Sequence, residues 1–188
     1  MRRSPALLGA VVLIAIFSAA SVRFPLGSAK PAGSSTGGAW RVYFSPRGGA
    51  TAAIVKAIGG ARRTVLAQAY SFTSAPIAKA LLNAHKRGVK VQVILDDSQL
   101  TQKYSSAVFF RNSGIPTRID SAHAIAHNKV MVIDGVTVIT GSFNFTRAAE
   151  ERNAENVLIV RDKALAERYT SNWRAHERHS RVYGRRGG

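Results

Sequence analysis

The chain has 188 residues, with 27 Lys and Arg against 10 Asp and Glu, a formal net charge of +17, and no cysteine. The missing thiols exclude a disulfide framework and any thiolate-held metal. The excess of cations suits a polyanionic partner, nucleic acid or an anionic lipid surface, bound in a salt-dependent way; a merely basic, solubilising surface is the bland alternative.

Met1-Arg2-Arg3 is a charged start, residues 6–17 are apolar, and Ser18-Ala19-Ala20 offers small residues for cleavage, the pattern of a secretory signal. Residues 1–29 are therefore read as a signal peptide or, uncleaved, as an amino-terminal anchor, because the apolar run to Val22 reaches the short end of spanning length. Either outcome predicts an exported protein, periplasmic or secreted, or one held at a membrane. Residues 30–39, rich in Gly and Ser with Pro31, have the composition of a poorly ordered linker. Residues 40–180 form one domain large enough for a substantial core, and Arg178, Arg181, Arg185 and Arg186 give the chain a basic end, with 181–188 as its tail.

Residues 40–45 read as an opening strand, and Pro46-Arg47-Gly48-Gly49 as its turn. Residues 51–58 carry apolar side chains at helical spacing and stop at Gly59-Gly60. A strand over 63–70 leads to a helix with Pro76 in its first turn, which runs to Arg87 and ends at Gly88. A strand over 89–95 closes at Asp96-Asp97-Ser98; a helix over about 103–112 and a short strand over 115–119 follow. This alternation predicts an α/β fold in one domain, with a mixed, mainly parallel sheet flanked by helices on both faces and a local antiparallel hairpin at 127–140. A last strand over 156–160 precedes a helix capped by Asp162, with Leu165, Tyr169 and Trp173 on one side.

The chemistry concentrates in residues 125–146. Alternate residues of an extended segment share a face, so His127 and Lys129 lie side by side. Asp134-Gly135 between apolar runs predicts a two-residue type I′ hairpin, whose return strand brings Ser142 and Asn144 back to the end where His127 began. An imidazole, an ammonium, an amide and a hydroxyl suit a phosphodiester. The donors balance charge on the equatorial oxygens and the imidazole can form a covalent phosphoryl intermediate, with no divalent ion required.

At these residues the chain resembles the phospholipase D superfamily, whose signature is His-x-Lys-x4-Asp followed by Gly-Ser-x-Asn: here His127, Lys129 and Asp134, then Gly141, Ser142 and Asn144. More narrowly it is similar to the small single-motif bacterial endonucleases of that superfamily, because Gly-Ser-Phe-Asn-Phe-Thr is followed by Ala148-Ala149-Glu150-Glu151-Arg152-Asn153-Ala154-Glu155-Asn156. The resemblance covers about residues 40–160 and implies a phospholipase D/nuclease-like fold and a metal-independent phosphodiesterase with no cofactor. Members with two motifs build one site from both. Only His127 here is followed two places later by lysine, so the resemblance implies a homodimer sharing one active site.

It also implies that His127 attacks phosphorus while the partner's His127 protonates the leaving oxygen and later activates water. Lys129 and Asn144 are assigned to phosphate oxygens, and Ser142 to a supporting hydrogen bond. Glu155, preferred over Glu150 and Glu151, is the acid expected to orient the imidazole. Asp134 completes the motif but, sitting in the turn, is expected to shape the hairpin. His123 and His127 are four apart, but the segment between them lacks the glutamate of a zinc-protease motif, so zinc is not expected there. Asp96-Asp97 is read as a strand-end turn. Of the aromatic residues, Tyr70 and Phe72 are the candidates for a groove wall that stacks bases. The leading expectation is a non-specific endonuclease acting on DNA and, as a further substrate, RNA. A phospholipase D acting on phosphatidylcholine-type lipids is the alternative, and a non-catalytic nucleic-acid-binding protein the third reading.

Overall fold

The computed structural model describes residues 34–35 and 38–184; the signal or anchor segment and Arg185 and Arg186 lie outside the described residues. Among the described residues no helix is long and apolar enough to cross a membrane. The first half runs β1 (Ser34–Ser35), β2 (Gly38–Phe44), α1 (Ala50–Gly59), β3 (Thr64–Ala69), α2 (Ala75–Lys86), β4 (Lys90–Asp96), α3 (Ala107–Asn112) and β5 (Thr117–Asp120). The second half runs β6 (Lys129–Ile133), β7 (Thr137–Gly141), α4 (Arg147–Glu151), β8 (Asn156–Arg161), α5 (Lys163–His179) and β9 (Arg181–Val182).

One sheet holds all these strands in the order β1-β2-β8-β7-β6-β3-β4-β5-β9. Parallel neighbours need a crossover connection, and only α2 and α3 supply one between adjacent strands, giving the parallel pairs β3/β4 and β4/β5. Every other pairing is antiparallel. The sheet is mixed, as expected, but its majority is antiparallel and not parallel, because the second half of the chain returns through hairpins.

Period two along the central strands separates two cores. Val65, Ala67, Val91, Val93 and Met131 face Ile54 and Ile58 of α1, Ile77 and Leu81 of α2, and Phe110 of α3. The alternate residues Leu66, Ile94, Val130, Val132 and Val138 pack on Ala166 and Trp173 of α5. Coverage on both faces is why these strands read as nearly continuous apolar runs. Asp162 accepts from Leu165 N at 2.8 Å and starts α5 as the sequence predicts. Trp173 Nε1 donates to Ala67 O at 3.0 Å, tying that helix to the middle of the sheet.

Four expectations change in detail. The hairpin ladder pairs Ile133 with Thr137, so three residues, not two, connect the strands. Asp134 and Gly135 do take the left-handed conformation (φ 55° and 67°), and Val136 N donates to Ile133 O at 3.1 Å across them, while its carbonyl accepts from Asp162 N at 2.9 Å and so continues the register of β7 with β8. Helix α3 starts at Ala107, not near 103, because Tyr104 is left-handed (φ 68°) and Ser106 N is drawn to Phe72 O at 2.8 Å. Part of the expected linker pairs with the sheet edge, Ser34 with Ala39 and Ser35 with Gly38, since an edge strand offers unpaired backbone groups to any adjacent extended segment. Finally, Arg178 belongs to α5, while Arg181 lies in β9 and pairs with Asp97 at 3.1 Å, so the ordered fold continues past residue 180.

Candidate active site

The site lies at the carboxyl ends of β3 and β4 and the start of β6. Backbone on either side of His127 is fixed: Ala126 N donates to the buried Asp96 carboxylate at 2.7 Å, and Asn128 O accepts from Tyr70 N at 2.8 Å. Between these ties the His127 imidazole stands exposed at the surface. Its ring lies 4.7 Å from that of Tyr70, centroid to centroid, with the planes tilted by 57°. The Lys129 ammonium sits 5.0 Å from the same Tyr70 ring and donates to His127 O at 2.9 Å. One aromatic ring thus touches both groups, as the expected shared face requires.

Lys129 is only 6% exposed. Burial lowers its pKa below the ordinary lysine value, and the negative charges of Glu155 and Asp96 oppose that fall. The ammonium is therefore desolvated, with its charge supported by carboxylates from two other segments.

The return strand ends at Gly141, whose backbone has φ 148° and passes so close to β8 that an added Cβ would lie 2.2 Å from Asn156 O. Glycine is required there, and the approach delivers Ser142 to the start of β8. Ser142 Oγ donates to Glu155 Oε2 at 2.5 Å and accepts from Asn156 N at 3.1 Å. The other Glu155 oxygen accepts from Asn153 Nδ2 at 3.1 Å. Ser45 completes the arrangement by accepting from Glu155 N at 3.2 Å. Beyond Ser142 the residues alternate: Phe143 and Phe145 are buried, whereas Ser142 is exposed and Asn144 half-buried. The Asn144 Oδ1 atom is buried without a hydrogen-bond partner among the described residues, an unmet polar group of the kind that marks ligand sites.

His127, Lys129, Ser142 and Glu155 therefore belong to one neighbourhood, with Asn144 on the same return segment. The Glu155 carboxylate acts on Lys129 through charge and is hydrogen-bonded to Ser142 and Asn153; no hydrogen bond joins it to the His127 ring among the described residues. Glu150 instead accepts from Gly49 N at 3.0 Å and Thr51 N at 2.7 Å, holding the start of α1, and Glu151 pairs with Arg147. Asp134 faces away from this chemistry: its carboxylate accepts from Arg62 N, Arg63 N and Thr64 N at 3.0, 2.7 and 2.9 Å, fastening the hairpin tip to β3.

Phe72 is corrected as a groove wall. It is fully buried against Phe110 and Phe145, because its segment bridges to the Phe145 backbone. Tyr70 is half-buried, with its ring against His127 and Lys129. Asp96 turns out to position the site: besides Ala126 N, its carboxylate accepts from Ser98 N at 3.0 Å. An aspartate closing a buried strand was the only sequence signal for this.

A family model described as "Cardiolipin synthase, PLD-like domain" matches residues 54–176. Fold, motif and match agree: the chain belongs to the phospholipase D superfamily. It is 49% identical over 130 residues to a "Phospholipase D" of Rickettsia felis, covering 69% of this chain and 65%, just under two thirds, of that protein. It is 36% identical over 110 residues to a "Mitochondrial cardiolipin hydrolase" of Xenopus laevis, covering 58% of this chain and 52% of that one. Among solved structures it is similar to Nuc, a phospholipase D family member from Salmonella typhimurium, with a TM-score of 0.76 and 41% identity over 79% of this chain and 99% of that one.

Proposed function

We propose that this protein is an exported, metal-independent endonuclease that hydrolyses nucleic-acid phosphodiesters through a phosphohistidine on His127, as a homodimer in which two chains contribute one motif each. The observation that carries this reading is the exposed imidazole packed with a desolvated ammonium on one aromatic ring. His127 attacks phosphorus and forms a P–N bond as the P–O bond breaks; the leaving oxygen takes a proton from the partner's His127. Water then attacks the phosphohistidine, giving its proton to the same partner imidazole. Lys129 and Asn144 stabilise the charge on the equatorial oxygens. Glu155, held by Ser142, supports the Lys129 charge and the imidazolium formed in each step. The charge of +17 and the single motif favour nucleic acid as substrate.

A lipid reading has support of its own. Relatives carry phospholipase D and cardiolipin hydrolase names, and an apolar groove of about 750 Å³ is lined by Thr73, Ala75, Ala78, Leu82, Tyr104 and Phe109. The test offers plasmid DNA, RNA and phosphatidylcholine or cardiolipin vesicles in parallel, in excess EDTA. DNA should be cut, with His127→Ala reducing the rate by at least roughly 10²–10⁴-fold, and an acid-quenched turnover should trap phosphate on His127. Head-group release with no nucleic-acid cleavage transfers the same chemistry to lipid. Cleavage that survives His127→Ala and depends on an added divalent ion refutes the mechanism.

A further inference from the structure

Three of the chain's five histidines meet around Asp120, which pairs with Asp96 across β4 and β5, and none of the three is among the proposed active-site groups. Asp120 ends β5, His123 lies in the loop that leads to His127, and His176 and His179 occupy the last turn of α5. Asp120 has no exposed surface. One of its oxygens lies 2.7 Å from His176 Nδ1 and 3.2 Å from His179 Nε2, and the other 3.4 Å from His123 Nδ1. The three imidazole centroids are 5.0 to 5.1 Å apart in every pairing. One nitrogen from each ring and one carboxylate oxygen all fall within 4.8 Å of one another.

We infer that Asp120, His123, His176 and His179 form a binding site for one transition-metal dication of the zinc type, with three neutral imidazoles and one carboxylate as ligands. Such ions take four ligands at about 2.0–2.2 Å in a tetrahedron, which puts neighbouring ligand atoms roughly 3.3 Å apart. The Asp120–imidazole separations of 2.7, 3.2 and 3.4 Å lie about that value, and the whole set of ligand atoms falls within 4.8 Å. His123 and His179 have side chains 47% and 37% exposed, so their rings have room to turn onto a central ion. The spacing repeats the local logic twice: Asp120 and His123 are three apart, and so are His176 and His179, which shares one face of a helix. Nitrogen and carboxylate donors without thiolate suit Zn²⁺, Ni²⁺ or Cu²⁺. The buried Asp120 carboxylate accepts from Ala122 N at 3.1 Å and turns its oxygens toward all three imidazoles.

Four protein ligands fill a tetrahedron and leave no position for substrate, so the role is structural. The ion fastens residues 121–126, which precede the catalytic histidine, to the end of α5 and to β5. This inference is independent of the phosphodiester chemistry, and its test reads binding and stability. The full chain, stripped with EDTA and desalted, is titrated with Zn²⁺ by calorimetry and with Co²⁺ by visible absorption. One ion should bind per chain, Co²⁺ should show the intense bands of tetrahedral coordination, and Zn²⁺ should raise Tm as any ligand of the native state does. His123→Ala and His179→Ala, at partly exposed positions where folding survives, should each weaken binding by at least about tenfold. His127→Ala should bind the ion as the wild type does. Absence of stoichiometric binding to the wild-type chain overturns the inference, as does binding that persists in the His123→Ala/His179→Ala chain and disappears in His127→Ala.

Discussion

At the scale of single residues, Tyr70 has a particular place, since its ring touches the imidazole of His127 and lies beneath the Lys129 ammonium. A cation over an aromatic face is worth about 0.5–2 kcal/mol, more when desolvated. The larger effect is positional: a misplaced reacting group can reduce a rate on the order of 10²-fold. Tyr70→Phe keeps the ring and should leave kcat nearly unchanged, whereas Tyr70→Ala should lower kcat by about that factor with a smaller change in KM. Equal losses in the two variants would show that the hydroxyl matters and the ring does not. Lys129 was legible as a charged partner of His127 from spacing alone. Its burial and its dependence on Asp96 were not, because they arise from strands distant in sequence.

At the scale of elements, the β6–β7 hairpin delivers both halves of the motif, and Asp134 anchors its tip. Burial alone would raise the Asp134 carboxyl, but the N–H groups of Thr64, Arg63 and Arg62 and the charge of Arg63 bring it below its ordinary value. A carboxyl depressed in the folded state contributes stability that is fully present above the unfolded pKa of about 3.9 and is lost as pH falls through the folded value. Asp134→Asn should therefore cost about 1–3 kcal/mol at pH 7 and flatten the loss of stability below about pH 4. Urea midpoints at pH 7 and pH 3 measure this; an identical loss at both would contradict the assignment. The sequence placed Asp134 in the turn correctly and could not show what its carboxylate holds, since Arg62 to Thr64 lie some seventy residues earlier.

At the scale of the whole molecule, one motif per chain predicts that activity belongs to a pair. When wild-type and His127→Ala chains are mixed and allowed to exchange, activity should fall as the square of the wild-type fraction if both imidazoles serve one site. A linear fall would mean that each chain works alone. The charge of +17 makes a second prediction. Binding of a catalytically dead variant to DNA should weaken steeply with salt, with a log–log slope near −0.9 for each phosphate neutralised. A flat salt response would remove nucleic acid as the partner.

What the sequence determined by itself is whatever rests on local periodicity and spacing. His127 beside Lys129, Ser142 and Asn144 on one return segment, the Asp162 cap of α5 and the superfamily resemblance all follow from residues near one another in the chain. What only the tertiary structure decided depends on segments that meet late. The antiparallel majority of the sheet, the buried place of Phe72, the holding of Ala126 by Asp96 and the gathering of His123 with His176 and His179 are of this kind. Strand neighbours are chosen by how two cores close over both faces of a sheet, and no window of the sequence contains both sides of that choice.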